Sequence, residues 1–112
     1  MKLIKAYIRN NMFETVHRAL HKEGYTSMTV MEAEGMGSYS DPDNKHGSLK
    51  FPAMHSKVVK LEIVSEAKHV DAVVSIIQEN ASTGHPGDGL LVVLPVERSI
   101  RIRDGEQRTY SV

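Results

Sequence analysis

Apolar side chains recur along this chain with two periods, one near two residues and one near 3.6, and together they mark out six elements. Residues 2–9 form a short run in which Leu3, Ile4, Ala6, Tyr7 and Ile8 are closed off by Asn10 and Asn11, which predicts a strand. A helix follows, with Phe13, Val16, Ala19 and Leu20 on one face, Asn11 as its cap, Glu14 three residues on, and Gly24 as its stop. Residues 27–34, centred on Thr29, Val30 and Met31, read as a second strand. Residues 57–64 read as a third, because Val59, Leu61 and Ile63 alternate with Lys60 and Glu62, and these two strands can pair. Val70, Val73, Val74 and Ile77 stand at helical spacing with Gly84 just past the end, and residues 90–96 form a buried strand carrying a late Pro95.

The order βαββαβ is the split βαβ of a ferredoxin-like α+β sandwich, an antiparallel sheet covered on one face by two helices. With only two helices, the bare face is most simply covered by another copy of the chain, so a homo-oligomer is expected. Both periods fail across 37–56, which holds Asp41-Pro42-Asp43-Asn44, Gly47 and Pro52. That is longer than the ~12–15 residues beyond which a structureless loop is usually functional or disordered, and it predicts a long projecting arm. Leu49, Phe51 and Met54 lie in this otherwise polar arm and favour docking to a partner or folding over a ligand, against a plain hairpin connection.

Composition narrows the function. With 112 residues, 40% of them hydrophobic, residues 1–112 fit one domain, of which 97–112 reads as a C-terminal loop and tail. Fourteen Lys+Arg balance fourteen Asp+Glu, so the basic footprint of a nucleic-acid binder is missing. There is no cysteine, which removes disulfides, thiolate metal sites and thiol redox switches. No signal-peptide succession and no run near the ~20 apolar residues of a membrane span is present, so a cytoplasmic protein without membrane insertion is expected.

The candidate chemistry lies in Thr83-Gly84-His85-Pro86-Gly87-Asp88-Gly89 and, one strand later, in Arg101-Ile102-Arg103. Gly87 and Gly89 permit positive φ and let backbone N–H groups approach an anion, although Gly84 as a helix stop and Gly-Asp-Gly as a simple turn explain the same residues. Arg101 and Arg103 point the same way if their segment is extended, and guanidinium groups match phosphate oxygens; a solvated tail is the other reading.

The chain resembles the PII signal-transduction proteins along its whole length. The resemblance is carried by Ala6-Tyr7-Ile8-Arg9, Met28-Thr29-Val30, Gly35-Met36-Gly37, Lys60-Leu61-Glu62-Ile63-Val64, Thr83-Gly84 with Gly87-Asp88-Gly89, and Val96-Glu97 running to Arg101-Ile102-Arg103 and Gly105-Glu106. It implies a ferredoxin-like homotrimer that binds adenine nucleotides (AMP, ADP or ATP) in clefts between subunits, with no obligatory metal. It also implies that the projecting loop controls a partner, such as a membrane transporter or a metabolic enzyme in nitrogen or carbon metabolism. By position, Gly35, Met36 and Gly37 would lie along the nucleotide and Met28, Thr29, Glu62 and Val64 near the adenine. Gly87, Asp88 and Gly89 would lie at the phosphates, which Arg101 and Arg103 would also reach.

The chain departs from this pattern at several places. Relatives typically follow the glycine turn with a basic residue, whereas this chain has Leu90, which favours AMP or ADP. The arginine, glutamine and lysine that relatives place around the loop base for magnesium and 2-oxoglutarate are Ser38, Tyr39 and Val58 here, so that site looks lost. The loop-tip tyrosine modified in enterobacterial members is Phe51, which has no hydroxyl to uridylylate. A divergent PII-like sensor is therefore expected, the alternative being a metal- or bicarbonate-responsive trimer of the PII-like or metal-tolerance type.

Histidines carry that alternative. His17 and His21 are four apart on the first helix, but beside or opposite its apolar face, and His46 and His55 lie in the arm. His85 lies inside the glycine turn, where it could meet phosphate or bicarbonate, or simply face solvent. Glu62 and the histidines could support slow hydrolysis of a bound nucleotide, yet no nucleophile–base pair or magnesium-binding carboxylate cluster stands out, and a regulator needs only differential affinity.

Overall fold

The computed structural model describes residues 1–37 and 56–108. Strand β1 (Lys2–Arg9) leads through a 3-10 turn (Asn10–Met12) into helix α1 (Phe13–Lys22). Strands β2 (Thr29–Gly35) and β3 (Ser56–Ser65) follow, then a 3-10 turn (Ala67–His69), helix α2 (Val70–Ala81) and strand β4 (Gly89–Pro95). The first four strands make one antiparallel sheet in the order β2-β3-β1-β4, so β2 and β4 are its two edges.

Alternation in β1 and β3 puts Ile4, Ala6 and Ile8 in register with Ile63, Leu61 and Val59, and all six are buried beneath the helices. Val16 and Leu20 of α1 and Val70, Val73, Ile77 and Ala81 of α2 close the same core. Leu3, Lys5 and Tyr7 occupy the opposite phase, on the face the helices leave open, with Leu94, Val92 and Leu90 beside them on β4.

Helix α1 ends as its sequence predicts. Gly24 has φ +89°, its N–H donates to His21 O at 3.0 Å, and Tyr25 N–H donates to Leu20 O at 2.9 Å, the paired bonds of a Schellman cap. Its start differs from expectation. Asn11 does not cap it: the 3-10 turn occupies residues 10–12, Met12 takes the cap position without a side-chain bond, and the Phe13 N–H is satisfied by Asn10 O.

Helix α2 stops at Ala81 because Ser82 is already extended, so Gly84 is not its stop and belongs to the turn beyond. The tail also holds structure that no period announced, a hairpin of strands β5 (Ser99–Ile100) and β6 (Gln107–Arg108). Most of the predicted arm, with Ser38, Tyr39, His46, Leu49, Phe51, Met54 and His55, lies outside the described residues. Its two ends are adjacent, since Gly35 pairs with Ser56.

Candidate functional site

The turn between α2 and β4 is organised around one carboxylate. Asp88 Oδ2 accepts from Thr83 N–H at 2.8 Å and Gly84 N–H at 3.0 Å, and Oδ1 accepts from the Thr83 hydroxyl and from Arg9 Nε at 3.0 Å. Arg9 Nη2 also donates to Pro86 O at 2.9 Å, so one side chain from the end of β1 straddles the turn. The partial burial of Asp88 opposes ionisation, but the bonds from Thr83, Arg9 and Gly84 outweigh it and hold its carboxyl well below the usual carboxylate range. Asp88, expected at the phosphates, thus has its oxygens turned into the loop.

The glycines of the turn have separate reasons. Gly87 has φ +92°, a conformation that side chains rarely adopt. Gly89 has φ +118°, and a Cβ there would lie 1.8 Å from Tyr7 O, so the close approach of β4 to β1 is enough to require glycine. Leu90 follows, 52% exposed and in register with Tyr7.

On the open face, across β2, β3 and β1, Met28, Thr29, Glu62 and Val64 line a single hollow of about 330 Å³ together with Leu3 and Ser27. The four residues expected near an adenine are therefore brought together. The Glu62 carboxylate sits 3.1 Å from Lys60 Nζ and 3.9 Å from Lys5 Nζ. Gly35 ends β2 as a buried residue, Met36 is exposed, and Gly37 has φ +95° at the mouth of the arm. Val58, where relatives were expected to carry a lysine, is buried.

The arginines are arranged differently from the extended pair that their spacing suggests. Residues 102–104 form the turn of the β5–β6 hairpin, so Arg101 and Arg103 do not share the face of one strand. Arg101 is half-buried and held within the hairpin: its Nε donates to Asp104 at 3.1 Å, and its Nη2 lies 2.5 Å from both Asp104 Oδ2 and Glu106 Oε2. Arg103 and Ile102 are exposed at the tip.

Among the described residues no group of three or more His, Asp or Glu side chains could hold a metal ion. His17 and His21 have ring centroids 6.2 Å apart, and His17 stacks on Phe13 at 5.7 Å. No helix among the described residues is long and apolar enough to cross a membrane.

The model of the family described as "Nitrogen regulatory protein P-II" matches residues 1–106. The chain belongs to the P-II family. Proteins named nitrogen regulatory protein P-II from Microchaete diplosiphon and Azospirillum brasilense are similar to it, at 37% identity over the whole of both chains and 36% over 96% of both. The relative of that name from Pasteurella multocida is 37% identical over 107 residues. Membership makes the chain a signal-transduction regulator, a class of proteins that are generally not enzymes.

Three residues of these features, Arg9, Leu3 and Ser27, are not singled out by the sequence. Arg9, present only within the Ala6-Tyr7-Ile8-Arg9 motif, shapes the turn, and Leu3 and Ser27 wall the hollow. Arg9 carries a legible hint, a cation closing a strand whose alternation continues Leu3, Lys5 and Tyr7. Its partners, 77 and 79 residues away, carry none.

Proposed function

We propose that this P-II protein senses adenine nucleotides in clefts between copies of the chain, as a homotrimer. Occupancy of the cleft then sets how its projecting arm meets a protein partner such as a membrane transporter or a metabolic enzyme. The observation that carries this reading is topological. The hollow of Met28, Thr29, Glu62 and Val64 extends from β2 across β3 to Leu3 of β1, whereas the glycine turn leads into β4 beside Ile8. Along β1 the rows that line the hollow, Leu3–Val64 and Lys5–Glu62, stand three to five residues, ~10–17 Å, from the Ile8–Gly89 pair. A ligand that uses both is best held by two copies, the hollow of one facing the turn of another.

In the proposed cleft the base lies against Met28, Thr29, Glu62 and Val64, and Gly35, Met36 and Gly37 run along the nucleotide toward the arm. Gly87 and Gly89 offer backbone to the phosphates while Asp88 holds the turn in shape from inside. Arg101 and Arg103 reach the phosphates from the hairpin, Arg101 by exchanging its carboxylate partners for phosphate oxygens. The exposed Leu90 adds no charge beside the turn, which favours AMP and ADP over ATP.

Titration calorimetry tests the reading. Binding of at least one of AMP, ADP and ATP is expected, and it should be abolished or strongly weakened in the double variant Arg101→Ala, Arg103→Ala. Heat-silent titrations of all three nucleotides, backed by equilibrium dialysis, would rule it out.

A further inference from the structure

We propose that Arg9 is a positioning residue that fits the glycine turn to hold an anion, by cancelling the charge of the Asp88 carboxylate at its centre and fixing the outline of the turn. This rests on reading the turn as the phosphate wall of a nucleotide site. A loop that is to receive phosphate but carries an ionised carboxylate among its own amides works against itself, because that charge repels the ligand at short range. Asp88 cannot be dispensed with, since its oxygens gather Thr83 and Gly84 into the turn at 2.8 and 3.0 Å. A counter-charge built against the loop resolves the conflict.

Arg9 has the geometry for this. Its Nε lies 3.0 Å from Asp88 Oδ1 and its Nη2 lies 2.9 Å from Pro86 O, so it grips both the base and the tip of the turn. Its side chain is 12% exposed and that of Asp88 24%, so the pair is partly shielded from water and its charges act more strongly than at a free surface. Two divergent donors on a planar group do what a lysine could do only in part. The neighbouring strand position, Leu90, supplies no charge. The anion affinity of the turn is thus set from β1, by a residue remote in sequence.

Charge cancellation predicts a signature that simple scaffolding does not: the effect of removing Arg9 grows with the charge on the ligand. Calorimetry on the full chain compares AMP, ADP, ATP and inorganic pyrophosphate in wild type, Arg9→Gln and Arg9→Lys, with thermal unfolding to verify the fold. In Arg9→Gln, ATP and pyrophosphate should bind about tenfold more weakly and AMP only a few-fold, while Arg9→Lys, which keeps the charge, should stay within a few-fold of wild type for all. Equal losses for AMP and ATP in Arg9→Gln, unchanged ATP affinity in that variant, or a loss in Arg9→Lys as large as in Arg9→Gln would overturn the inference. Arg9-dependent pyrophosphate binding in a protein that takes no adenine nucleotide would leave it standing and refute the nucleotide reading, and a wild type that binds neither refutes both.

Discussion

At the residue scale, two glycines show how one residue type answers to different physics. Gly24 has positive φ and open space around its Cα, so Gly24→Ala meets only the left-handed backbone penalty, about 1 kcal/mol. Gly89 combines positive φ with a Cβ position 1.8 Å from the Tyr7 carbonyl oxygen. Gly89→Ala should cost about 3 kcal/mol or more, since β4 must move off β1, and urea unfolding of the two variants side by side measures the contrast. Asp88 is the other residue whose surroundings set its chemistry. A carboxyl depressed below its ordinary 3.8 stabilises the fold above that pH, and the contribution drains away as pH falls through 3.8 toward its folded value. Asp88→Asn should therefore lower stability at pH 7 by about 1–2 kcal/mol, with the gap to wild type narrowing below pH 4, as followed by denaturant midpoints across pH. A gap independent of pH would mean that the side chain's shape matters and its charge does not.

At the scale of elements, long periodic segments were legible and short or irregular ones were not. The bounds of β1 follow from an apolar run closed by Asn10 and Asn11, and the start of α2 from helical spacing, because each signal is sustained over eight or more residues. The β5–β6 hairpin has two residues per strand, too few to show a period, and what stabilises it is Arg101 pairing with Asp104 and Glu106. Asn11 looked like a cap because it precedes an apolar face, but the 3-10 turn in front of α1 shifts the cap position to Met12. Leu90 belongs to this scale too, since the phase of β4 decides that it lies beside Tyr7 and not beneath α2. Leu90→Lys places a cation next to the turn and should move preference toward ATP by about tenfold relative to AMP, by competition calorimetry.

At the scale of the molecule, the unfinished feature is the sheet face the helices leave open. Leu3, Tyr7, Leu90, Val92 and Leu94 share it with Lys5, Lys60 and Glu62, and Leu90 and Leu94 are exposed there. An apolar face of this kind is expected to close against copies of itself, giving a particle three times the 12.5 kDa chain by sedimentation. Leu94→Glu should break that assembly. If the nucleotide cleft lies between copies, the same change abolishes nucleotide binding although every proposed ligand residue is intact; a monomeric variant that still binds with wild-type affinity would place the site within one chain.

The sequence by itself determined the order of the first four strands and the two helices, the face each helix buries and the family, because each is written in local periodicity or in contiguous motifs. It also marked the two glycine-bearing segments and four of the six residues that line the hollow, Met28, Thr29, Glu62 and Val64. Only the tertiary structure decided what these residues do to one another: that Asp88 turns inward, that Arg9 reaches it across 79 residues, that Arg101 is already held by acids, and that Leu3 of β1 closes the hollow begun by β2 and β3. The physical reason is that charge pairing and close backbone approach depend on distance in space, and a sheet brings together strands whose separation along the chain carries no trace of it.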